Sequence, residues 1–108
     1  MPDLSNITEQ IKYEFTAKPW QYSSFDGMPG WYFVSLPKET AAEIREHFRW
    51  QEEGWGRLKV TAKIGVSEWK TSIWFDTKHG TYLLPLKAEI RKKEHIVIDK
   101  EVQVVVWI

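Results

Sequence analysis

Apolar and polar side chains alternate with a period of two along several short runs, and that alternation constrains the chain more than any other feature. Ile11, Tyr13, Phe15 and Ala17 alternate with Lys12, Glu14, Thr16 and Lys18. Leu58, Val60, Ala62 and Ile64 alternate with Lys59, Thr61 and Lys63. A period of two puts one set of side chains on each side of a strand, so each run predicts a half-buried strand. Between Glu68 and Phe75 the expected inward set is Trp69, Thr71, Ile73 and Phe75. The run that closes the chain places Val102, Val104, Val106 and Ile108 inward. Its other side carries Val105 and Trp107, which predicts cover on both faces. Trp31–Ser35 and Tyr82–Pro85 are short apolar strands, giving six in all.

Turn-formers punctuate these runs. Asp26-Gly27 and Pro29-Gly30 mark a loop, Gly54-Trp55-Gly56 a break, and Gly65 and Asp76–Gly80 two turns. Pro19 is expected to end the pairing of the first strand, because it has no N–H to donate. Two stretches change period. Pro37 opens a helix on which Ala41, Ile44 and Phe48 form one apolar stripe, and Lys87–Glu94 is a shorter helix. The expectation is a mainly β domain over residues 11–108, a small double-split β-barrel of about six strands with two short α-helices. Residues 1–10 are polar and aperiodic and are expected to form a flexible tail.

The second half echoes the first. Tyr32-Phe33-Val34, Pro37, Lys38, Glu43-Ile44-Arg45 and the strand from Leu58 correspond to Tyr82-Leu83-Leu84, Pro85, Lys87, Glu89-Ile90-Arg91 and the strand from Val102. The first copy has three more residues between Lys and Ile, close to one helical turn, so both helices keep their buried face. The later copy resembles the strand–helix–strand unit of AbrB-like transition-state regulators, in which two chains interlock to build one barrel. Here both units lie in one chain. The sequence departs from that family in having His95 where glycine is usual at the helix end, and Asp99-Lys100 in place of a Gly-Asp turn. A left-handed backbone at His95 would carry about 1 kcal/mol of strain.

A wider resemblance covers Tyr13 to Val106. It rests on Tyr13-Glu14-Phe15-Thr16-Ala17, Gly30-Trp31-Tyr32-Phe33-Val34, Leu36-Pro37-Lys38-Glu39, Gly54-Trp55-Gly56, Trp69-Lys70-Thr71-Ser72 and Tyr82-Leu83-Leu84-Pro85, in that order. These strings resemble a bacterial family known as domain of unknown function nineteen-oh-five. The resemblance implies a small split β-barrel and carries no catalytic residues.

Composition narrows the function classes. The chain has 15 basic and 15 acidic residues and no cysteine, so disulfides and thiolate metal sites are excluded. The N-terminal residues have no basic stretch followed by an apolar run, so no signal peptide is expected, and a cytoplasmic location fits. No apolar run reaches the length of a membrane span. Of His47, His79 and His95, His47 follows Glu43 by four residues, but one such pair falls short of the three or four ligands of a zinc site, and neither metal nor cofactor is expected. Ser72 and Thr71 sit mid-strand with no nucleophile elbow, and Asp26, Asp76 and Asp99 sit in turns, where Asp bonds its own backbone.

Binding surfaces are the better prospect. If the third and fourth strands form a hairpin, Arg57, Lys59, Lys63 and Lys70 share one face with Ser72 and Trp74, against Glu68 alone. Phosphate contact and stacking could hold a nucleic acid there, while lysines guarding a hairpin from edge pairing is the simpler account. Lys87, at a helix start where the dipole disfavours it, could meet an anionic ligand. Trp20, Trp31 and Trp55 could rim one mouth of the barrel or close it as a lid. The expected function is a non-enzymatic binding or interaction module for a small anionic ligand or a protein partner. A nucleic-acid-binding protein is the alternative, with overall neutrality against it; a small enzyme of unknown reaction has least support.

Overall fold

The computed structural model describes residues 10–22, 30–54 and 56–108. In chain order these form β1 (Lys12–Ala17), β2 (Trp20–Tyr22), β3 (Trp31–Ser35), α1 (Lys38–Phe48) with a 3-10 turn at Arg49–Gln51, and β4 (Arg57–Ile64). Then follow β5 (Ser67–Asp76), β6 (Thr81–Pro85), α2 (Ala88–Lys93) and β7 (Val102–Trp107). The strands make one antiparallel sheet in the order β1-β7-β4-β5-β6-β3-β2, which curls into a split barrel with two helices. Apart from Gln10, the expected N-terminal tail lies outside the described residues.

There is one strand more than the alternation predicts. Pro19 does stop β1 pairing with β7, yet the chain bends there and Trp20–Tyr22 pairs with β3. Proline lacks a ladder donor but fixes a corner, and its own carbonyl still accepts from Asp99 N at 3.0 Å. The two outermost strands of the sheet are therefore consecutive pieces of one bent stretch. Followed through that bend, the ladder returns to where it began.

Most of the inward sets form the core, although Ile11 is exposed and Thr71 only half-buried. Tyr13 and Phe15 of β1, Leu58, Val60, Ala62 and Ile64 of β4, Trp69 and Ile73 of β5, and Val104 and Val106 of β7 are buried in one cluster. Ala41, Ile44 and Phe48 bring α1 onto it, and Ile90 brings α2. Pro37 caps α1 from just outside. Val105 and Trp107 are half-buried, so outer cover of β7 is partial rather than complete.

The repeat in sequence is a repeat in space. β3–α1–β4 and β6–α2–β7 are related by an approximate twofold axis. Val34 pairs with Leu84 and Ala62 with Val106, and in each pair the partners are equivalent positions of the two units. Leu36 N donates to Tyr82 O (3.0 Å) and Leu86 N donates to Tyr32 O (2.8 Å), the same bond made in both directions. In each unit the arginine after the buried helix isoleucine lies over a ring: Arg45 on Phe75 at 3.7 Å, Arg91 on Tyr32 at 3.6 Å. β5 pairs with both β4 and β6, just as β1 and β2 together pair with β7 and β3. Trp20 (beside Phe33) and Trp74 (beside Leu83) are thus twofold counterparts. Among the described residues no helix is long and apolar enough to cross a membrane.

Candidate functional site

The alternation that turns Val34 and Leu84 into the core turns Phe33 and Leu83 outward. Both are nonetheless buried, at 7% exposure each, and neither belongs to the core cluster. What covers Phe33 is aromatic. Trp20 lies 5.2 Å from it, Trp74 6.1 Å, and Trp31, stacked nearly parallel, 6.3 Å, measured between ring centroids. Trp31 and Trp74 are themselves 5.7 Å apart. Trp20 is held in place by its indole N–H, which donates to Ser35 Oγ at 2.9 Å. The rings wall a groove of about 750 Å³, lined also by Tyr22, Arg57, Phe75, Asp76, Lys78, His79 and Leu83. Trp31 is 59% exposed and Tyr22 58%, so much of this apolar surface faces water.

His79 forms one rim, its ring 5.7 Å from Trp20. Asp76 Oδ2 holds His79 Nδ1, and Asp76 Oδ1 accepts from the Lys78 backbone N–H at 3.1 Å. The His79 bond, followed by the backbone ones, keeps the Asp76 carboxyl below its ordinary range, with partial burial opposing. Engaging Nδ1 leaves Nε2 for a ligand hydrogen bond. A second polar group sits behind Phe75. Tyr82 donates its hydroxyl to Glu52 Oε2, which lies 3.7 Å from Arg45 Nε. Burial, then this carboxylate, drives the Tyr82 phenol well above its usual range. Among the described residues no three His, Cys, Asp or Glu gather as a metal site needs.

The hairpin face expected of the third and fourth strands is present. Arg57 is opposite Trp74, Lys59 opposite Ser72, and Thr61 opposite Lys70. Arg57, Lys59, Lys70, Ser72 and Trp74 line a second hollow of about 420 Å³, with Thr71 and Pro85. Arg57 and Trp74 border both hollows, so the aromatic groove runs into the basic face. Lys63 lies further along, opposite Glu68, and lines neither. Lys87 is also elsewhere, at the α2 cap with Nζ 3.8 Å from Glu89. Trp31 sits on the outer side of β3 rather than at a barrel mouth, and Trp55 lies outside the described residues. Phe33 is not among the residues weighed from the sequence, while Asp76 and His79 are weighed there only as a turn carboxylate and as a histidine without metal-site spacing. For Phe33 the signal was present, since Trp31 and Phe33 share one parity while Val34 takes the other. For Asp76 and His79 only the bare turn was visible.

A family model described as a domain of unknown function, DUF1905, matches residues 15–106. No curated protein matches the chain.

Proposed function

The chain belongs to the DUF1905 family, and from that premise we propose that this member is a non-enzymatic binding module whose recognition surface is the aromatic groove on the outer sheet face. One observation carries the reading: Trp20, Trp31, Trp74 and Phe33 cluster outside the core, around a groove that, among the described residues, no side chain of either helix lines. A groove of several hundred Å³ with apolar walls and a few polar groups at its edge is the usual form of a ligand site. Solvated aromatic surface of this kind gains free energy when something flat or apolar covers it. Arg57, Lys78 and His79 favour an occupant with anionic or hydrogen-bonding groups. A cysteine-free chain suits a reducing compartment, so a bacterial cytoplasm is part of this reading.

Tryptophan emission reports on the site directly. Titration with a panel of planar anionic and neutral compounds and short peptides is expected to shift or quench the emission for at least one class. Trp31→Ala and Trp74→Ala, each retaining the wild-type melting profile, should weaken that response about tenfold or more. A flat response across the panel would overturn the proposal.

A further inference from the structure

Resting on the reading of the groove as a binding surface, we propose that its occupant is single-stranded nucleic acid, with bases stacked in the groove and phosphates along the adjoining cations. Two kinds of surface meet at Trp74 and Arg57. On one side are open ring faces, Trp31 most of all. On the other, Arg57, Lys59 and Lys70 stand on the outer face of the β4–β5 hairpin. Among the described residues no acidic side chain lines the second hollow; the hairpin carries Glu68 opposite Lys63 at one end and Glu53 bridged to Arg57 at the other. Inside the groove the Asp76 carboxylate is engaged by His79 and the Lys78 backbone N–H, and it shares the lining with Arg57 and Lys78.

The pairing of stacking faces with a cationic track selects the ligand. An uncharged sugar or an apolar peptide would cover the rings and leave three cations unanswered. A mononucleotide could fill the groove without reaching the second hollow. In a duplex the bases are stacked on one another and their faces are closed to tryptophan. A single strand presents ring faces and charges in alternation along its length, and aromatic platforms with Lys and Arg alongside are how such strands are held.

The test is fluorescence anisotropy of a labelled oligothymidylate about 12 nucleotides long, a length suited to one small binding fold. Unlabelled duplex and AMP serve as competitors. With three phosphates neutralised, log affinity should fall with log salt at a slope of about −2. Lys59→Glu combined with Lys70→Glu should reduce the slope to about −0.7. Trp31→Ala, at the most open ring, and Trp74→Ala should each weaken binding about tenfold with the melting profile kept. AMP competing as well as the oligomer, or oligomer binding that ignores both tryptophans, overturns the proposal. An oligomer that fails to bind at low salt, while planar neutral compounds still shift tryptophan emission, overturns it and leaves the groove reading standing. Failure of both ligands sinks both readings.

Discussion

At Gly65 the backbone is left-handed (φ 60°), and a methyl group there would overlap the carboxylate of Glu94. That carboxylate also accepts the Ser67 hydroxyl, tying the β4–β5 turn to the end of α2. Gly65→Ala would combine left-handed strain with displacement of Glu94 from Ser67. The expected cost is about 1–2 kcal/mol, read as a lower urea midpoint with unchanged slope. His95 shows the same physics without glycine. Its φ of 51° is the left-handed conformation expected from the missing glycine at the end of α2. Asp99 (φ 66°) is a second such residue, and its N–H bonds the Pro19 carbonyl at the barrel corner.

Among the described elements, β6 is buried on both faces over four consecutive residues, Thr81 to Leu84. Tyr82 and Leu84 enter the core, while Leu83 lies beneath the aromatic groove. Tyr82 reaches through to Glu52, which follows the 3-10 turn after α1 and is only 10% exposed at its side chain. Removing the phenol oxygen would strand a nearly buried carboxylate beside Arg45, whose Nε has no hydrogen-bond partner. Tyr82→Phe is therefore expected to destabilise the protein by about 1–3 kcal/mol in chemical denaturation. β1 and β2 show the opposite economy. They fill with two short pieces the place that β5 fills with one continuous strand of 10 residues. Pro19 is the reason for the division: a ladder residue without an N–H marks where pairing changes partner.

For the whole molecule, the twofold arrangement means that neither half has a complete interior. Ala62 pairs with Val106 and Val34 with Leu84 across the shared axis, so both units bury their residues together. One consequence appears at high pH. Tyr13 and Tyr82 are both held above the ordinary phenol value of 10.0, by burial first and then by Glu43 and Glu52 respectively. A raised folded value means the unfolded chain releases these protons first. Their contribution to stability is therefore intact below pH about 10 and is lost as pH rises through the raised folded values. Of the four tyrosines in the chain, these two should gain tyrosinate absorbance only together with loss of circular dichroism. Ionisation of all four before unfolding would contradict this account.

Much of the architecture was legible because strand periodicity is local. Alternation along residues 58–64 and 102–108 names the core side without reference to any partner. The Lys–Glu–Ile–Arg echo likewise exposed the two units. The basic hairpin face was legible too, since a tight turn at Gly65 fixes the register that sets Lys59 opposite Ser72. The aromatic groove was not. Trp20, Trp31 and Trp74 come from β2, β3 and β5, and only the twofold closure carries Trp20 and Trp74 to either flank of the β3–β6 ladder. Period and turn chemistry act between near neighbours, so the sequence alone determined which side of each strand is apolar. Meeting of distant strands depends on how the curled sheet returns to itself, and that was decided by the tertiary structure.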